Sequence, residues 1–254
     1  MSRQPGGLRV VAIVQARVGS TRLPGKVLMD VAGEPMLARV MSRLGRARTL
    51  DESVVATTMN GPDDAIASLS TEWGWPVFRG EEHDVLDRYY RAAKASRAGV
   101  IVRVTSDCPM VDPAIVDKVV HALVGAPDAD YASTLLEPRT FPRGLDVEAM
   151  TMGALGRAWE EDTAAATREH VTPYIYRHPD RFALTRVASP EDLSQIRWTV
   201  DEEVDLRLIR TIYEHFDRDD FTWREALDAY RTHPEWGHMN EHTRQKEVPE
   251  SQAR

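Results

Sequence analysis

A single cysteine, Cys108, occurs in 254 residues. No intrachain disulfide can form, and a cysteine-based zinc site is excluded. A chain of this length buries enough surface to manage without such staples, as one large α/β domain or two small ones. No apolar run approaches the roughly 20 residues that span a bilayer. The start, MSRQPGGLRV, has no signal-peptide apolar core. A soluble cytoplasmic protein without a membrane partner is expected. Positive charge is also short: 32 Lys and Arg stand against 40 Asp and Glu, a formal net charge of −8. Nucleic-acid binders normally carry a basic surplus, so no polymeric nucleic-acid partner is expected. Two familiar phosphate-loop fingerprints are missing as well. G-x-G-x-x-G is absent, and a P-loop needs four residues between its glycines, then Lys-Ser or Lys-Thr. Here Gly19 and Gly25 enclose five residues, and Val27 follows Lys26.

What is present is alternation. β-branched runs at Arg9–Ala16, Ser53–Thr58, Pro76–Arg79, Val100–Thr105 and Asp130–Thr134 read as strands. Between them, Met36–Ala47, Asp63–Trp73, Asp84–Ala98 and Pro113–Val124 read as helices, the last opened by an N1 proline. This order predicts an α/β fold, a mostly parallel sheet flanked by helices. Regularity weakens after residue 135. Leu145–Ala149, Phe182–Val187 and Arg197–Val200 are expected strands. Met152–Glu161, Arg168–Tyr176, Glu203–Phe216 and Thr222–Tyr230 are expected helices. A single domain over residues 8–233 is expected, with an irregular acceptor or dimerisation region at about 135–190. A polar tail follows at 234–254, either disordered or docked on a neighbouring subunit.

Against the acidic background, the stretch VVAIVQARVGSTRLPGKVL stands out. An apolar strand runs straight into a loop with Arg17, Arg22 and Lys26 beside Gly19, Ser20 and Thr21. Ligands of open α/β sheets bind beyond the strand carboxyl ends. Glycine lets backbone N–H groups approach an anion, and the cations neutralise it. The loop therefore predicts a site for a small, strongly anionic ligand.

Q-A-R-x-G-S-T-R-L-P-G-K resembles the signature loop of the cytidylyltransferases that make CMP-activated acidic sugars, in particular the subfamily of the spore coat polysaccharide biosynthesis protein SpsF. VVATT…DD, FRG…DVLDRYY, IVRVTSDCPMVDP, RTFPRGLDVE, REHVTPYIY, RWTVDEEVDL and HPEWGHMN resemble that subfamily's blocks, in order. The likeness runs over roughly residues 9 to 247. It implies a nucleotidyltransferase of the glycosyltransferase-A-like (Rossmann-like) fold, which uses CTP and releases pyrophosphate, and a homodimer. By resemblance, Gln15, Ala16, Arg17, Gly19, Ser20, Arg22 and Lys26 hold the triphosphate. Thr57, Asp64, Arg103 and Thr105 lie in blocks expected to face the nucleotide. Arg103, odd in an apolar strand, either points to the nucleotide or pairs with an acid.

A triphosphate poised for transfer needs Mg2+ on one or two carboxylates. Asp107 follows a strand at the same sheet edge as the basic loop, and the family carries a metal-ligating Asp there. Asp201 matches the family's second metal-binding Asp, and as the residue before a helix it also suits an N-cap. Asp205 is a lesser metal candidate. Arg17, Lys26, Asp107 and Asp201 are thus the expected catalytic set. The D-x-D at Asp128 and Asp130 precedes a strand and reads as a turn. His238 and His242, at helical spacing, lack a third ligand. Cys108 has no base beside it and reads as a small residue in a tight turn. By resemblance, Arg139, Arg143, Asp146, Glu148, Arg168 and His170 face the acceptor, an acidic sugar or phosphorylated molecule. Arginines suit such an acceptor through paired N–H donors. A glycosyltransferase using a nucleotide sugar, or a non-catalytic nucleotide-binding partner protein, are the competing readings.

Overall fold

The first strand, β1 (Val10–Gln15), is buried on both faces from Val10 to Val14 because it runs through the middle of a seven-stranded sheet. The computed structural model describes residues 7–245. Past the basic loop come a 3-10 turn at Lys26–Leu28, a ribbon of β2 (Asp30–Val31) and β3 (Glu34–Pro35), and helix α1 (Met36–Leu44). Then follow β4 (Glu52–Thr58), α2 (Asp64–Glu72), β5 (Val77–Gly80), α3 (Val85–Ala95), β6 (Val100–Thr105) and α4 (Pro113–Val124). The second half holds β7 (Tyr131–Ser133), β8 (Glu148–Thr151), α5 (Met152–Glu161), α6 (Ala165–His170), α7 (Pro173–Tyr176) and β9 (Leu184–Arg186). It closes with α8 (Glu203–Phe216), α9 (Trp223–Thr232) and α10 (Pro234–Met239).

The strand order is β5-β4-β1-β6-β8-β7-β9. The first four strands are parallel, while β8 runs antiparallel to both β6 and β7. From β1 the chain moves outward to β4 and β5, then crosses to β6 on the other side. The switch point therefore lies between β1 and β6, where loops diverge and leave a crevice. Strand alternation sorts the core into two layers. Val10, Ala12, Val14, Val100, Val102 and Val104 face a cluster with α1, α4 and α8 to α10. Val11, Ile13 and Ile101 face the opposite cluster, with α3, α5 and α7. By the same alternation, Gln15 and Arg103 belong to the second face.

Several expected elements differ. Arg168–Tyr176 is not one helix: a γ-turn at Val171 (φ 71°) splits it, with Thr172 N donating to His170 O, and Pro173 starts the next turn. Arg197–Val200 is no ladder strand, since only Arg197 forms a bridge, to Arg143. The strand expected at Leu145–Ala149 begins at Glu148 instead. The β2–β3 ribbon was too short to show a period. The tail, expected to be disordered or docked on a neighbouring subunit, folds back on its own chain through α10, where Trp236 supplies an apolar anchor that is 4% exposed. The rest of that tail, 246–254, lies outside the described residues. Among the described residues, no helix is long and apolar enough to cross a membrane.

Candidate active site

The basic loop is a built structure. Val18 N donates to Asp63 Oδ1 (2.7 Å), and Asp63 in turn takes the Thr58 hydroxyl. Gly25, at φ 74°, lets its N–H turn back to the Val18 carbonyl (2.9 Å). Leu23 and Val27 bury their side chains and anchor the loop's far end. The loop thus crosses the carboxyl end of β1 in a fixed path, and its cations turn toward the crevice.

Lys26 is the centre. Its Nζ donates to Asp107 Oδ2 (2.9 Å), Asp201 Oδ1 (3.1 Å) and the Val200 carbonyl (2.6 Å). Burial alone would lower its pKa, but Asp107 and Asp201 outweigh that and raise it. Burial likewise pushes Asp107 up, yet Lys26 and the Thr105 hydroxyl (2.6 Å) prevail and hold it below the ordinary carboxylate value. Asp107 keeps 26% of its side chain open to the crevice. Asp201 is held on both oxygens, by Arg22 Nη2 on Oδ1 (2.7 Å) and Arg197 Nη2 on Oδ2 (2.7 Å).

Asp201 is not the cap of α8. Glu202 is the N-cap, reciprocated by Asp205 in a capping box. Capping therefore does not use the Asp201 side chain, which lines the crevice. Asp205 does not: it is fully buried and accepts from the backbone of Asp201 and Glu202, from Arg197 and from Asn240. That excludes it as a metal ligand. Among the described residues no three His, Cys, Asp or Glu side chains converge on one point. Two carboxylates do, Asp107 and Asp201, with the Lys26 ammonium between them. This donor set fits Mg2+, which takes one or two carboxylates and completes its shell with phosphate and water.

The crevice has a volume of about 410 Å3. Gln15, Ala16, Arg17, Ser20, Arg22 and Lys26 line one side; Thr105, Asp107 and Asp201 lie opposite. Arg17 stands at the rim, 3.8 Å from Glu82 and 3.7 Å from Glu169, contacts loose enough to be exchanged for a ligand. The lining also includes Arg103, Asp146, Glu148 and His170. Of the two roles expected of Arg103, pairing with an acid is seen: it pairs with Glu148, donates to Gln15 Oε1 (3.2 Å), and borders the crevice. Glu148 is buried, accepting also from Tyr131 and Thr172, so it fixes Arg103. Burial, with the nearby Arg103, lowers the His170 pKa and favours a neutral ring.

Other expected residues do not reach the crevice. Arg139 is spent on Asp146 and on the Phe141 and Pro142 carbonyls. Arg143 serves through its backbone, bonded to Ile196 and Trp198. Arg168 pins Asp84 and the Trp159 and Asp162 carbonyls. Thr57 is buried within β4, Gly19 sits on the outer turn of the loop, and Asp64 pairs outward with Arg79. The neighbouring Asp63 is the one that supports the loop. Asp130 accepts from Ala183 N at the start of β7, away from the crevice. His238 and His242 both turn to Glu241. Cys108 is buried, and its burial and Asp107 raise its pKa well above normal, so it is no nucleophile. Arg88 lines the crevice unanticipated. It is 2% exposed, burial lowers its pKa, and its Nε has no partner. The available signal was an arginine on the buried stripe of α3, between Val85 and Ala92. Tyr176 and Gln245 also reach the crevice; neither had a local signal.

A family model described as cytidylyltransferase matches residues 11–229. An uncharacterized protein of Methanocaldococcus jannaschii is 38% identical over 245 residues, 96% of this chain and 99% of the relative. The spore coat polysaccharide biosynthesis protein SpsF of Bacillus subtilis is 30% identical over 89% of this chain and 95% of its own length. The solved structure of a cytidylyltransferase from Leptospira borgpetersenii superposes with a TM-score of 0.87 at 30% identity, covering 90% of this chain and 96% of that one. With the basic loop, the two carboxylates and the switch-point crevice in one place, the chain belongs to the cytidylyltransferase family, on the SpsF-like branch related to the CMP-sugar synthetases.

Proposed function

We propose that this enzyme transfers CMP from CTP to an acidic sugar or phosphorylated acceptor, with release of pyrophosphate and dependence on Mg2+. The observation that carries the reading is Lys26 held between Asp107 and Asp201 in the switch-point crevice. Asp107 and Asp201 would hold the metal, which supplies charge neutralisation on the triphosphate. The chain's own part is positioning and electrostatics. Arg17, Arg22 and Lys26 neutralise phosphate oxygens. An acceptor oxygen attacks the α-phosphorus, the bond to the bridging oxygen of the β-phosphate breaks, and pyrophosphate leaves with that electron pair. Arg103, held by Glu148, offers a fixed positive charge to an acidic acceptor. His170, favoured neutral, offers one donor and one acceptor nitrogen beside it.

A homodimer belongs to the same reading. It is supported by exposed Met59, Trp73 and Val77 along the β4–β5 side of the sheet, and sedimentation equilibrium measures it. A CTP consumer also belongs in the cytoplasm, where nucleoside triphosphates are made. The test is pyrophosphate release from CTP with Mg2+ and a panel of acidic sugars and phosphorylated compounds. Asp107→Ala is expected to lower turnover at least about a thousandfold with the fold intact. Turnover at the parental rate in that variant contradicts the assignment. CTP uptake without pyrophosphate release from any of the panel favours a non-catalytic binder.

A further inference from the structure

The described C-terminal segment, residues 240–245, returns to the crevice and touches the groups that hold Asp201. Asn240 Nδ2 donates to Asp205 Oδ1 (2.8 Å) and the Arg197 carbonyl (3.1 Å). Gln245 Oε1 accepts from Arg197 Nη1 (2.6 Å), and the Arg244 carbonyl accepts a long bond from Arg22 Nη1 (3.4 Å). Arg197 and Arg22 are the two guanidiniums on Asp201. Arg197 is gripped by three residues: Asp205 takes Nε (3.0 Å) and Nη2 (3.3 Å), Asp201 takes Nη2 (2.7 Å), and Gln245 takes Nη1 (2.6 Å). A guanidinium is planar and its donors keep a fixed fork. Asp205 on the Nε–Nη2 edge and Gln245 on Nη1 therefore decide together where Nη2 points, and with it the rotation of the Asp201 carboxylate.

We propose that Gln245 is a positioning residue for cytidylyl transfer. Together with Asp205 it fixes Arg197, which ties down Asp201 Oδ2 and leaves Oδ1 facing Lys26 and Arg22 in the crevice, where a cation is to be held. Gln245 acts through Arg197 and not on the reacting atoms. A purely anchoring role fits it poorly. Its residue is exposed, whereas Trp236 and Asn240, at 4% and 5% exposure, already hold the segment down. The inference rests on the metal reading given above.

The test is titration of the free protein with Mn2+, followed by electron paramagnetic resonance, on the parent, Gln245→Ala and Gln245→Glu. Thermal unfolding of each is recorded alongside. Support to a ligand from behind typically changes metal affinity 10- to 100-fold. Gln245→Ala is expected to weaken Mn2+ binding about tenfold, without moving the unfolding midpoint. Gln245→Glu keeps the accepting oxygen and is expected to bind Mn2+ at least as well as the parent. If the parent does not bind Mn2+, the metal reading falls and this inference with it. If the parent binds and Gln245→Ala binds equally, this inference alone is overturned. Equal losses in both variants, or a loss accompanied by a lower unfolding midpoint, overturn it too.

Discussion

Replacing Lys26 by methionine would leave Asp107 and Asp201 facing each other without their shared ammonium. Removing one partner of a buried ion pair strands the other charge, so Lys26→Met is expected to cost about 3 kcal/mol in urea unfolding. The same vacancy invites a divalent cation. Millimolar Mg2+ is therefore expected to raise the unfolding midpoint of Lys26→Met more than that of the parent. Equal shifts in the two proteins would show that Lys26 does not stand in a cation's place. The pH dependence has a definite sign. Asp107 lies below its ordinary 3.8 and Lys26 above its ordinary 10.5. The pair's contribution is complete between those two values. It fades as acid passes from 3.8 down through the folded pKa of Asp107, and as alkali passes from 10.5 up through that of Lys26. The stability gap between parent and Lys26→Met should therefore close in strong acid. His170 behaves differently. Burial and Arg103 lower it, so its NMR titration midpoint is expected below 6.5; a midpoint above 6.5 contradicts the packing described for it.

The segments around Gly144 and Trp198 cross at close quarters, and that crossing sets Asp201 in place. Arg143 N bonds to Ile196 O (2.9 Å) and Trp198 N to Arg143 O (2.6 Å). Gly144 sits at φ 102°, and a Cβ there would stand 2.5 Å from the Trp198 carbonyl carbon. Backbone lies on both sides of the contact, so nothing can swing away. Gly144→Ala is expected to cost at least about 3 kcal/mol in urea unfolding, and a loss below about 1 kcal/mol would mean the crossing is loose. This is also where reading from sequence stopped. β6, α4, α5 and α8 lie where their periodicity and caps put them, since local pattern alone decides such elements. Arg197–Val200 looked like a strand because its residues are extended and partly apolar, but it meets a crossing segment and not a ladder. Asp107 and the basic loop were legible because their chemistry is concentrated beside strand ends, and Asp201 through its match to a family block. Arg139, Arg143 and Arg168 were misjudged because a charged residue in an irregular segment carries no mark of the direction it faces. Arg139 is spent on Asp146 and two carbonyls and Arg168 on Asp84 and two carbonyls, while Arg143 bonds through its backbone. Asp64, expected to face the nucleotide, pairs with Arg79, while the adjacent Asp63 holds Val18; only the fold shows which of two neighbouring carboxylates turns to the loop.

For the whole molecule, topology does the assembling. β1 and β6 are neighbours with opposite onward paths, so Lys26 and Asp107, 81 positions apart, meet at one sheet edge. The C-terminal end then closes the same edge, from α8 through α10 to Gln245. It packs into the domain through Trp236 despite its polar composition. Trp236→Ala is expected to cost about 3–5 kcal/mol, as for a large aromatic lost from a core. A cost under about 1 kcal/mol would return that segment to the status of a dispensable tail. The central claim is that a cationic loop and two acidic side chains grip a nucleoside triphosphate together with its metal. Its most direct measurement is calorimetric titration of the parent protein with CTP, in the presence and absence of Mg2+. The account predicts binding that strengthens at least about tenfold when Mg2+ is added. CTP affinity that is the same with and without Mg2+, or no binding in either condition, would contradict it.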